Sequence, residues 1–87
     1  MNHSEKLHLI TALLTRVEPR DLEWVLMDIL TPAEIDEVAD RIRILTMLES
    51  GQSQRDIASE LGISVTTVSR GNRVLQYESK AIHSYLK

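Results

Sequence analysis

The sequence predicts an all-α domain of six helices, and three observations predict it. Apolar residues recur at three- and four-residue spacing in every long segment, no stretch alternates as a strand would, and the breaks carry capping residues, prolines or glycines. Connections between the periodic segments are short. No repeat or low-complexity stretch interrupts them.

The first helix is marked by Leu7, Ile10, Leu14 and Val17 and ends before Pro19, a residue suited to the first turn of the next helix. The second carries Leu22, Val25, Leu26 and Ile29 on one stripe, with Trp24, Met27 and Leu30 off it. A helix apolar on more than one side in so short a chain needs more than one packing partner. Thr31-Pro-Ala-Glu34 is a capping box with proline at the first helical position, and it opens the third helix. That helix sets Ile35, Val38, Ile42 and Leu45 on one stripe and Ile44, Met47 and Leu48 beside it, stopping at Ser50-Gly51.

The next twenty residues hold the clearest functional signal. Ser53 and Asp56 form a capping box that starts a fourth helix at about Gln54, with Ile57 and Leu61 on its inner edge. Ala58 is small enough for a helix crossing, and Gly62 takes the positive φ of a tight turn. Ser64 caps a fifth helix whose Val68 faces the core. Two short helices with this punctuation are a helix-turn-helix, and the opening turns of its second helix are the ones that enter a DNA major groove. Val65, Thr66, Thr67 and Ser69 fall there, short side chains that bring hydroxyls and a methyl-bearing valine close to base edges. Arg55 is placed to read bases, and Gln54 and Arg73 to touch backbone or base edges. A sixth helix is expected over 79–87, with Ile82, Tyr85 and Leu86 as its apolar residues.

The chain is thus expected to be one domain over residues 1–87: dimerisation helices over 1–50, a DNA reading head over 53–74, and the C-terminal helix. An 87-residue chain buries a modest share of its surface, so the surplus apolar faces of the first three helices call for a second copy. A two-fold dimer would set two reading helices about 34 Å apart and read a palindromic site, a geometry carried over from helix-turn-helix dimers in general.

The net charge is −3, yet it is unevenly spread. Met1–Glu49 holds five Lys/Arg against ten Asp/Glu, whereas Ser50–Lys87 holds five against three. The helix-turn-helix lies on the positive end, which orients the chain on a polyanion with modest, salt-sensitive affinity.

Several function classes are disfavoured. There is no cysteine, hence no disulfide or thiol chemistry, and neither an export signal nor a membrane-length apolar run is visible, so a cytoplasmic protein without membrane contact is expected. His3, His8 and His83 lack the spacing of metal ligands and read as surface histidines, so no metal is expected. Hydroxyl and acidic residues are plentiful but no histidine-centred constellation activates them, so no catalytic residue and no enzyme is expected. Trp24 reads as a core or dimer-interface anchor, and Glu34, Asp36, Glu37 and Asp40 as a solvated helix face.

Leu30-Thr-Pro-Ala-Glu34, Arg41-Ile-Arg-Ile44, Ser53-Gln-Arg-Asp56 and Thr67-Val-Ser-Arg-Gly71 together resemble the bacterial tryptophan repressor family, over roughly Asp28 to Leu86. The resemblance implies an intertwined homodimer that binds operator DNA under control of a small indole corepressor, with no covalent cofactor. It implies that Arg41 packs on one indole face, and that Arg70 covers the other and meets the ligand carboxylate. Whether one chain supplies both arginines is left open by the sequence. It further implies that Leu30 and Thr31 close the pocket, that Gly71 lets the ring approach the backbone, and that Gln54, Arg55, Val65, Thr66, Thr67 and Ser69 contact DNA.

Two guanidinium planes around an indole gain cation–π attraction of about 0.5–2 kcal/mol each. Gly71 costs a helix about 1 kcal/mol relative to alanine, which asks for a reason: a flat ligand, or simply the end of the helix. For Arg41 taken alone, an i−4 ion pair with Glu37 is the ordinary alternative. Three departures from the family stand out. Val74 replaces a small hydroxyl residue that helps hold the ligand amine, Asp28 stands where an apolar residue is expected, and the turn at Gly51-Gln52-Ser53 is one residue shorter. The departures favour an indole or aromatic carboxylate such as indole-3-acetate, unless Asp28 restores L-tryptophan binding through the amine. Two rival readings are a helix-turn-helix regulator with no small-molecule partner, and a protein-interaction module or the targeting end of a recombinase.

Overall fold

A computed structural model of the chain describes residues 1–86. Among the described residues five α-helices form: α1 (His3–Leu14), α2 (Leu22–Ile29), α3 (Pro32–Glu49), α4 (Gln54–Leu61) and α5 (Val65–Arg73). Short 3-10 turns at Pro19–Asp21 and Ile82–Tyr85 and a π turn at Val74–Glu78 complete the helical structure. The all-helical class expected from periodicity is present, and the described residues contain no strand. In place of a sixth α-helix over 79–87 stands the single 3-10 turn Ile82–Tyr85, and Lys87 lies outside the described residues. Ser79 is extended, Ala81 lies off helical angles and no side chain caps the turn, so a segment too short to nucleate a helix alone does not form one.

The chain divides inside α3 into two compact units, residues 1–35 and the residues from Asp36 onward. In the first unit α1 opens with a complete capping box: the Glu5 N–H donates to Asn2 Oδ1 at 2.8 Å and the Asn2 N–H to Glu5 Oε1 at 3.3 Å. α1 stops at Leu14 because the Arg16 and Val17 N–H groups turn to i−3 carbonyls, and the Arg16 Nε donates to the Ala12 carbonyl at 3.1 Å. Pro19 starts the 3-10 turn that leads into α2. The Thr31 box is also complete: the Glu34 N–H donates to Thr31 Oγ1 at 3.2 Å and the Thr31 N–H to Glu34 Oε1 at 2.9 Å. Those Thr31 groups hold the Glu34 carboxyl below its ordinary value. No residue of this unit is buried; Leu7, Leu9, Ile10, Leu22, Trp24, Met27 and Ile29 stay exposed.

The second unit has a core. Ile44 of α3, Ile57 and Ala58 of α4 and Val68 of α5 are buried together, with Met47, Leu48, Leu61 and Ile63 packed against them. Ile57 and Val68 are fully buried, each worth about 1.5–3 kcal/mol over an exposed side chain. Leu75 and Leu86 are buried as well. Between α4 and α5, Gly62 adopts φ 67°, a left-handed conformation that L side chains rarely take, while the Gly62 and Ile63 N–H groups close on the Ala58 carbonyl. Ser53 caps α4 through its hydroxyl, which accepts from the Asp56 N–H at 3.1 Å. The expected return bond from Asp56 is absent among the described residues, since aspartate is a methylene shorter than the glutamate that completes such boxes.

Candidate functional site

On α5 three faces follow from 3.6 residues per turn. Val68 points into the core, fully buried. Val65, Thr66, Ser69 and Arg73, at i, i+1, i+4 and i+8, form an exposed stripe. Thr67, Arg70, Gly71 and Val74, at i, i+3, i+4 and i+7, line an open groove of about 400 Å³ together with Arg41, Ile44 and Leu45 of α3. Stripe and groove are two faces of one helix.

The groove has apolar walls from Ile44, Leu45 and Val74, and two guanidinium-bearing residues, Arg41 and Arg70. Neither arginine makes an ion pair among the described residues, so the Glu37 pairing is not formed. Among the described residues no carboxylate lines the groove. One chain supplies both Arg41 and Arg70 to the same groove. Asp28 of α2 and Leu30 and Thr31, which link α2 to α3, belong to the N-terminal unit; Asp28 and Thr31 are exposed and Leu30 is half-buried.

Gly71 has a packing reason beside the two offered by the sequence. It does not end the helix, which runs on through Arg73 into the π turn. A Cβ built on it would lie 2.7 Å from Ile44 Cγ2, with Leu48 Cδ1 at 3.5 Å and Leu45 Cδ2 at 3.7 Å. The missing side chain therefore lets α3 cross α5 closely, and the space is taken by Ile44.

Of the residues expected at DNA, Arg55, Val65, Thr66, Ser69 and Arg73 are exposed and Gln54 is half-buried. Ser69 Oγ donates to Gln54 Oε1 at 2.6 Å, a bond from α5 to the first residue of α4. Thr67 is exposed too and also lines the groove; its hydroxyl lies 2.8 Å from Ser64 Oγ, which also accepts from the Thr67 N–H at 3.1 Å. Sequence reasoning missed Thr67, Ile44 and Leu45 as groove residues. The signal was present in the i, i+3, i+4 spacing of Arg41, Ile44 and Leu45 and of Thr67, Arg70 and Gly71, which puts each triplet on one helical face.

His83, expected as a plain surface histidine, bridges two elements. Its Nδ1 lies 2.9 Å from Glu49 Oε2 at the end of α3, and its Nε2 2.9 Å from the Leu75 carbonyl. Both partners are acceptors, and only the imidazolium has a donor for each. The Leu75 carbonyl first and the Glu49 carboxylate second raise the His83 pKa above its ordinary value near 6.5.

The sequence profile of a family described as Trp repressor protein matches residues 5–87. A Trp operon repressor homolog of Xylella fastidiosa strain M23 is 35% identical over 78 residues, spanning 87% of this chain and 85% of that protein. One of Vibrio parahaemolyticus serotype O3:K6 is 31% identical over 80 residues, spanning 91% of this chain and 78% of its own length. Another, of Vibrio atlanticus, is 37% identical over 67 residues, 76% of this chain and 68% of its own length. No solved structure matches the chain.

Proposed function

Because this chain belongs to the Trp repressor family, whose members are transcription regulators and not enzymes, we propose that it is a DNA-binding transcriptional repressor under small-molecule control. The observation that carries this reading is the sharing of α5 between two surfaces. One face bears the exposed stripe Val65, Thr66, Ser69 and Arg73, and the next lines a groove with two arginines that make no ion pair among the described residues. In the proposal α4 and α5 act as a helix-turn-helix, with α5 in the major groove and Arg55 and Gln54 beside it.

An occupant of the groove touches α3 and α5 together. It would restrict their relative angle and hence the direction of the reading stripe, so a ligand need not contact DNA to control it. About 400 Å³ is the size of a small-molecule site, and apolar walls with two guanidinium groups suit a flat aromatic carboxylate. Val74 gives no hydroxyl, and an ammonium short of acceptors would cost several kcal/mol once the open groove is closed over the ligand. The proposed effector is therefore an indole or aromatic carboxylate without an α-amine, such as indole-3-acetate. Asp28, Leu30 and Thr31 enter as ligand residues through the family likeness alone. The exposed apolar residues of the N-terminal unit support a homodimer over 1–50, and hence a palindromic operator.

Calorimetry with indole-3-acetate and L-tryptophan, followed by operator titration with each, tests this reading. The expected result is binding of the amine-free acid, lost in Arg70→Ala. Tighter binding of L-tryptophan that disappears in Asp28→Asn would make Asp28 the amine ligand and overturn the amine-free assignment. One observation favours a ligand-independent regulator: Ile44 already fills the space beside Gly71, so the glycine needs no ligand to explain it. Operator affinity indifferent to every indole acid would select that second reading.

A further inference from the structure

Gln54 begins α4, and its side chain is held before any DNA arrives. Ser69, on the exposed stripe of α5, donates its hydroxyl proton to Gln54 Oε1 at 2.6 Å. The carboxamide is thereby fixed in orientation, its oxygen turned to Ser69 and its NH2 group left with two donors for an outside acceptor. Glutamine reads adenine through both ends of the amide, accepting from N6 and donating to N7. Ser69 takes one of the two Oε1 lone pairs and sets the amide plane, so the NH2 group is the part of the amide left wholly unpaired among the described residues. The first helix of a helix-turn-helix crosses the DNA backbone, where the groups within reach are phosphate oxygens, which accept and never donate.

We propose that Ser69 is a positioning residue that acts on DNA through Gln54, and that the Gln54 NH2 donates to a backbone phosphate and reads no base. This rests on the reading of the chain as a DNA binder. Holding a rotamer-rich side chain in its bound orientation removes an ordering cost from association, so the bond raises affinity without adding sequence preference. Ser69 is thus withdrawn from the residues that face base edges, leaving Val65, Thr66 and Arg73 on the stripe.

The test is a double-mutant cycle on duplexes selected by the wild-type protein from a randomised pool, read by fluorescence anisotropy, with thermal unfolding of every variant. Ser69→Ala and Gln54→Ala are each expected to weaken all duplexes alike, by about tenfold for a hydrogen bond to a charged acceptor. The double variant should be no weaker than Gln54→Ala, Ser69→Thr should restore wild-type affinity, and thermal midpoints should stay together. Losses that multiply in the double variant, or a base preference altered by Ser69→Ala, would show that Ser69 meets DNA directly and overturn the proposal. A midpoint lowered by Ser69→Ala would assign the bond to folding and overturn it equally. If the wild-type chain retains no duplex from the pool, DNA binding itself falls, a result separate from any outcome of the cycle, and the inference falls with it.

Discussion

Replacing Gly71 by alanine tests the closeness of α3 and α5, on which both the core and the groove depend. The added methyl lands 2.7 Å from Ile44 Cγ2, whereas carbon atoms pack at about 3.5–4.0 Å, so roughly 1 Å of relief is needed. Ile44 cannot supply it freely, being 3% exposed and clustered with Ile57, Ala58 and Val68, with Leu45 and Leu48 on either side of the new methyl. Overpacking of this kind costs about 1–3 kcal/mol. Alanine recovers about 1 kcal/mol of helix propensity over glycine. The net expectation is a loss of about 1 kcal/mol, a fall in thermal midpoint of roughly 4–8 °C for a domain of this size. Unfolding followed by circular dichroism reads it directly. In an Ile44→Ala background, where the opposing methyl is gone, the same substitution should become stabilising by about 1 kcal/mol, the propensity gain alone. A midpoint that rises by the full propensity gain with Ile44 intact would refute the close crossing.

The other expectations concern recognition, assembly and pH. Arg55→Ala should lose discrimination at one base pair of each half-site, worth about 1–3 kcal/mol if the arginine is bidentate to guanine; equal weakening across all operator variants would reduce it to a phosphate contact. The chain should sediment as a dimer at micromolar concentration, since Trp24 and Met27 are 67% and 60% exposed in the single chain. Trp24→Asp should dissociate or unfold that dimer, and a stable, folded wild-type monomer would end the two-fold operator model. The raised His83 pKa means that the folded chain binds the His83 proton more tightly than the unfolded one. Its stabilisation is therefore full below the unfolded value near 6.5 and is lost as pH rises through the folded value. His83→Gln should remove that part of the pH dependence of unfolding between pH 5.5 and 8.5, and identical profiles for both proteins would refute the imidazolium bridge.

Local chemistry made much of the fold legible. Thr31-Pro-Ala-Glu34, Ser53 and Ser64 start α3, α4 and α5 where the sequence places them, because a cap is satisfied within three residues and needs no distant partner. Gly62 terminates α4 for a similarly local reason. Asn2 and Glu5 carried the same signal, yet the apolar stripe from Leu7 masked it, so the true start of α1 at His3 went unread. The sixth helix failed for the opposite reason: Ile82, Tyr85 and Leu86 have helical spacing but no cap, and spacing without nucleation yields one 3-10 turn.

The sequence by itself determined the helical class and the starts of α3, α4 and α5, since each depends on residue type and short spacing, and its motifs pointed to the family, whose likeness alone paired Arg41 with Arg70 as a candidate site. Only the tertiary structure decided which faces meet. It set the exposed Thr67 at the groove, packed Ile44 against Gly71, tied Gln54 to Ser69 across 15 residues, and set His83 between Glu49 and Leu75. The rotation of one helix against another is a property of two packed surfaces, and spacing along either chain segment leaves it undetermined.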